Sequence, residues 1–133
     1  MTQEKRIEIR WRDVDAYEHV NNAVYATYLE EVRDELLRGV LDGAGDPWEW
    51  VLARVAIDFR RELRLEDRAV VAWCQIARLG TSSVTLREGV RAAEGWVAAE
   101  AEAVVVAWDR ETGRSRPLTD AERAAFETAV VSS

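Results

Sequence analysis

The order of patterns along the chain predicts an α+β domain in which a curved antiparallel sheet of five strands wraps one long central helix. Three observations carry that prediction. A short alternating stretch near the N-terminus is followed by about twenty residues of helical periodicity, then by four strand-like segments, with no second long helix among them. Short connections part the later strands, which favours antiparallel neighbours and a meander.

Taken in order, residues 6–11 read RIEIRW, with Ile7, Ile9 and Trp11 on one side and Glu8 and Arg10 on the other. That period of two marks a half-buried first strand. From about Asn22 the period changes: Tyr25, Leu29, Val32, Leu36 and Val40 recur at steps of three and four, with Glu31, Asp34, Glu35 and Arg38 mostly on other faces. This predicts a helix of roughly five turns. Asn21 or Asn22 suits the N-cap, since a side-chain oxygen there accepts from the free first-turn amides, and DGAGDP at 42–47 stops the helix. Strands are expected at about 51–59, 67–79, 82–93 and 95–108, parted by RRELRLED, LGTSS and AAEG. The last strand presents a small apolar face, Val97, Ala99, Ala101, Ala103, Val105 and Ala107, which lets a helix approach closely; Trp96, Glu100, Glu102 and Trp108 lie on the other. LTDAERAAFETAV then forms a short closing helix, capped by Thr119 or Asp120, with Glu122 near the capping-box position.

The 133 residues, 48% hydrophobic and 32% charged, suit one domain spanning 1–133. A net charge of −7 argues against nucleic acid or an anionic membrane as the main partner, so an anionic ligand needs a local basic patch. One cysteine, Cys74, excludes an intramolecular disulfide, and MTQEKRIEIR lacks the apolar core of a secretory signal; a cytoplasmic location is expected. No apolar run approaches the ~20 residues of a membrane span. One His and one Cys cannot furnish a zinc site of the usual ligand type, so no metal is expected, although carboxylates alone could hold a hard cation. A sheet with one main helix leaves its other face uncovered, and the outward tryptophans suggest a homodimer or a dimer of dimers.

Several chemistries drop out. There is no glycine-rich phosphate loop and no serine flanked by glycines, and Cys74, inside VVAWCQIA, reads as a buried and inert thiol. What remains is DVDAYEHVNNAVYATYLEEVR, residues 13–33, where two aspartates, the only histidine and two asparagines stand ahead of the helix. A carboxylate there can activate water or attack an acyl carbon, and the helix start offers unpaired amides for a developing oxyanion. On spacing alone the same residues also read as turn formers and caps.

This stretch resembles the signature of hotdog-fold acyl-CoA thioesterases of the 4-hydroxybenzoyl-CoA thioesterase type. Those carry an Asp-x-Asp pair after the first strand, often His-Val-Asn-Asn, then Tyr and a helix with Glu and Arg. Here these are Asp13, Asp15, His19, Val20, Asn21, Asn22, Tyr25, Tyr28, Glu30 or Glu31, and Arg33. The resemblance implies an enzyme that hydrolyses an acyl thioester to acid and thiol without a cofactor. It implies Asp15 as nucleophile or general base and the backbone amide of about Asn22 as oxyanion donor, with His19 near the carboxylate or structural and Asp13 tying the turn to the backbone or raising its partner's pKa by repulsion. Glu30 and Glu31 are fallback carboxylates, since another branch of such enzymes uses a helical one. Tyr25 is a core or pocket residue. Coenzyme A phosphates would fall to Arg60, Arg61, Arg64 or Arg78, helped by Thr81, Ser82 and Ser83, and in a cleft between two subunits these groups can serve the neighbour's site. A hotdog hydratase or dehydratase and a non-catalytic domain binding acyl-CoA or an acyl carrier are the alternatives.

Overall fold

The computed structural model describes residues 1–131. Strand β1 (Thr2–Glu8) leads through a 3-10 turn at Trp11–Asp13 to helix α1 (Asn22–Leu41), and a second such turn at Pro47–Glu49 opens β2 (Trp50–Phe59). Strands β3 (Ala69–Leu79), β4 (Ser83–Ala92) and β5 (Val97–Asp109) follow, then a two-residue β6 (Arg114–Ser115) and the closing helix α2 (Asp120–Ala129). The sheet order is β1-β3-β4-β5-β2, with every pair antiparallel and β6 pairing the end of β5. Helix α1 packs against β3, β1 and β4. This is the hotdog arrangement: a curled sheet around one long helix.

Two expectations change. The first strand covers Thr2–Glu8 rather than residues 6–11, and Trp11 is 82% exposed instead of sharing a buried face with Ile9. Pairing ends where Ile9 donates its amide to the Arg68 carbonyl, and Asp13 then gathers the Arg10 amide and guanidinium, which turns the chain out of the sheet. The meander holds only for β3, β4 and β5. The chain leaves β2 through residues 60–68 and crosses the end of the sheet, so β2 lies at the far edge beside β5. That crossing is anchored by Leu63, fully buried, whose carbonyl accepts the Val20 amide. A connection of nine residues is too long for a tight hairpin but suits a crossover.

The helix forms where its periodicity places it. Asn21 is the N-cap, its side-chain oxygen accepting from Ala23 N at 3.0 Å. Tyr25, Tyr28, Leu29, Val32, Leu36, Leu37 and Leu41 are buried along one stripe. Beneath and beside it lie small or branched inward residues of the sheet: Ala72, Cys74, Ile76, Val84, Leu86, Ala99, Ala103 and Ala107. Helix α2 carries the expected capping box between Thr119 and Glu122, and Phe126 closes the core's second end against Trp50, ring centroids 5.1 Å apart. On the outer face Trp73 lies across Gly89, where an added Cβ would fall 2.5 Å from the indole. Among the described residues no helix is long and apolar enough to cross a membrane.

Candidate active site

The turn between β1 and α1 is built from its aspartates outward. Asp13 is 1% exposed and accepts from the Arg10 amide at 2.9 Å, from the Arg10 guanidinium at 3.0 Å and from the Tyr28 hydroxyl at 2.8 Å. Burial alone would raise its pKa, but these donors outweigh burial and hold the carboxyl below its ordinary value. The Tyr28 phenol is pushed far up, by burial first and then by the adjacent carboxylate. The Asp13 carbonyl also takes the Asn21 amide, so Asp13 ties the strand exit to the helix start and to its second turn. It is spent on structure.

Asp15 is different. It is half-buried, its amide donates to the His19 carbonyl, and its Oδ1 accepts from the Tyr17 amide at 2.9 Å and the His19 amide at 3.3 Å. Oδ2 has no donor among the described residues. Closing this tight loop puts Glu18 in the left-handed region, at φ 68°. His19 bridges Arg64 through its backbone, and its Nε2 lies 3.0 Å from Glu62 Oε2.

Asp15, His19, Asn22, Tyr25, Phe59, Arg60, Arg61 and Glu62 line one cleft of about 420 Å³ between the start of α1 and the end of β2. Asn22 N opens the helix and finds no acceptor among the described residues, as expected of a first-turn amide. The ring of Tyr25 is buried and meets Phe59 edge to face, 5.1 Å between centroids. Burial raises the Tyr25 pKa. Arg60 reaches Glu100 at 3.3 Å and Asp58 at 3.9 Å, while the Arg61 guanidinium lies 4.1 Å over the Trp96 ring. A carboxylate oxygen and an unpaired helix amide on one cleft can activate a nucleophile and hold a developing negative oxygen.

Other expected members stand elsewhere. Arg78, Thr81, Ser82 and Ser83 sit at or beside the β3–β4 turn, at the sheet end opposite Asp15, about 30 Å or more of strand from Ala69. Within one chain they are not part of the cleft. Arg64 lies on the outer side of the Asp15 turn, with Trp11 and Leu65. Glu30 lines a second, larger groove of about 770 Å³ beside α1, where Leu37, Leu41, Trp50 and Leu52 mix with Asp34, Arg38 and Asp42, and Glu31 is 3.8 Å from Lys5. Cys74 is fully buried, and burial with the neighbouring Glu88 pushes its thiol far up, so it is inert. No cluster of three or more His, Cys, Asp or Glu suited to a metal ion occurs among the described residues.

Two features escaped sequence reasoning. Phe59, at the end of β2, and Glu62, in the crossover after it, reach the cleft only because β2 lies at the far edge of the sheet, which no local pattern announces. Arg33 and Glu88 pair in the core, and here a signal existed: Arg33 falls on the buried stripe of α1, and Glu88 shares the inward parity of Leu86 and Val90.

Residues 9–126 match the family model described as the thioesterase-like superfamily. The chain is 29% identical over 134 residues to the long-chain acyl-CoA thioesterase FadM of Escherichia coli (strain K12), covering 94% of this chain and 97% of that one. A thioesterase from Thermus thermophilus, solved with coenzyme A and zinc, superposes with a TM-score of 0.83 at 30% identity, over 96% of this chain and 92% of that chain. A predicted thioesterase from Bacillus stearothermophilus shares the fold at a TM-score of 0.89 and 24% identity, over 98% of each chain.

Proposed function

The chain belongs to the thioesterase-like superfamily and is a thioester hydrolase, and on that premise we propose that it cleaves acyl-CoA to the free acid and coenzyme A, with Asp15 as the reacting carboxylate. One observation carries the reading. Asp15 has one oxygen fixed by two backbone amides and the other without a donor, on the same cleft as the unpaired first amide of α1. In this account Asp15 takes a proton from an attacking water, or attacks the carbonyl itself. The Asn22 amide, aided by the positive end of the helix, stabilises the oxyanion, and the thiolate leaves. His19, held by Glu62, stands beside the carboxylate, and Tyr25 with Phe59 forms the apolar wall. Arg60 and Arg61 supply positive charge on the opposite side of the cleft.

The acyl group is proposed to be a fatty chain. This follows FadM, which is a long-chain acyl-CoA thioesterase. A second copy is proposed to complete the site. Strand β2 is a sheet edge whose inward side chains Leu52, Val55 and Phe59 are 47%, 36% and 46% exposed, while its charges, Arg54 and Asp58, point the other way. Such an edge pairs readily with its own copy. An antiparallel partner would also bring its Arg78, Thr81, Ser82 and Ser83 toward the neighbouring cleft.

The test is thiol release from coenzyme A esters of short, long and aromatic acids. Turnover with preference for long chains is expected. Inactivity toward every ester would overturn the acyl-CoA assignment.

A further inference from the structure

A charged pair lies under α1 where apolar packing would suffice. Arg33 Nε and Nη2 each donate to Glu88 at 2.7 Å, fork to fork, with Arg33 4% and Glu88 0% exposed, and the Cys74 thiol donates to the same carboxylate at 3.5 Å. Burial opposes the Arg33 charge, but the two bonds to Glu88 outweigh it. Replacing a buried ion pair by apolar residues is often neutral or stabilising, and the best-attested use of such a pair is to fix a register.

The site needs a register. One wall of the cleft, Asn22 and Tyr25, rides on α1; the other, Phe59 to Glu62, rides on the sheet and its crossover. The inner residues of β3, the strand that α1 meets most, include Ala72 and Cys74, small side chains that offer few ridges there against sliding. Of the other polar anchors of α1, Tyr28 to Asp13 reaches the turn, while Glu35 meets Lys5 at 2.9 Å and Gln3 at 3.4 Å on the edge strand β1 through partly exposed side chains. Glu88, on β4, is the buried anchor that joins the helix to the middle of the sheet. Arg33 is eleven residues beyond Asn22, about 16 Å along a stiff helix, so a displacement at the pair carries to the first-turn amides.

We propose that Arg33 and Glu88 are positioning residues whose bidentate contact sets where α1 lies on the sheet, and thereby the distance across the cleft between the helix amide and the groups facing it. This rests on the thioesterase reading for its effect on catalysis, but not for its effect on the helix.

The test is the paired variant Arg33→Met with Glu88→Leu, which keeps volume and removes both charges. Its thermal midpoint should match or exceed the wild type, while kcat for an acyl-CoA falls about tenfold or more with KM within about twofold. Amide exchange at residues 26–29, the first bonded inside α1, should quicken although global stability does not fall. Should the pair prove hard to fold, Arg33→Lys keeps the charge and loses the fork, and should lower kcat about threefold. Wild-type kcat and wild-type exchange in a folded variant would overturn the proposal. If the wild type itself cleaves no acyl-CoA, the functional assignment fails alone, and the exchange measurement still decides the role of the pair.

Discussion

Glu18 and Arg68 hold φ values of 68° and 66°, where a side chain is strained and glycine is at ease. Glu18 occupies this position because the Asp15 loop must close within four residues for His19 N to reach Asp15 Oδ1. Glu18→Gly should therefore stabilise by about 0.5–1 kcal/mol, and Glu18→Val should destabilise by about 1 kcal/mol or more, read as shifts in the urea midpoint at constant slope. Glu122 makes a pH-dependent contribution. Burial would raise its pKa, but bonds from Arg116, the Thr119 amide and Trp50 Nε1 hold it at about 2, against an ordinary 4.5. A carboxyl depressed by folding stabilises above its unfolded value and loses that contribution as the pH falls toward the folded one. Glu122→Gln should thus cost stability at pH 7, and its difference from wild type should shrink between about pH 4.5 and 2. A difference constant with pH would deny the Glu122 charge that role.

At the scale of elements, β2 and α1 divide the work of the cleft. Helix α1 supplies the free amide and a buried stripe, while β2 supplies Phe59 at one end and an open edge along its length. Val55 sits midway on that edge, inward-facing and opposite Ala103. Val55→Lys puts a charge where a second copy's strand is proposed to lie. Sedimentation should show the wild type as a dimer or larger and the variant shifted to monomer, with activity falling alongside. A wild type that sediments as a monomer would remove the shared cleft from the account.

For the whole molecule, the wrapped-helix architecture was legible because it depends on local periods. The stripe Tyr25–Leu29–Val32–Leu36 could only be helical, and the alternation in β3 to β5 could only be strand. The crossover of β2 to the far edge was not legible, since the partner of an antiparallel strand is chosen by long-range burial, here of Leu63, and not by its own sequence. The same limit governs the site. Asp15, His19, Asn22 and Tyr25 are neighbours in the chain and were found from one motif; Phe59 and Glu62 arrive from a distant segment, and Arg78 to Ser83 turned out to lie across the sheet from them. Alternation continues in the letters as far as Trp11, but the strand has already ended at Glu8, ahead of the Asp13 turn. The proposed chemistry rests on one carboxylate of this assembled molecule. The measurement that tests it most directly is kcat for thiol release by Asp15→Asn, a substitution that keeps the Oδ1 acceptor for Tyr17 and His19. A folded Asp15→Asn should be about a hundredfold or more slower than wild type; one that hydrolyses acyl-CoA at the wild-type rate would contradict the role proposed for Asp15.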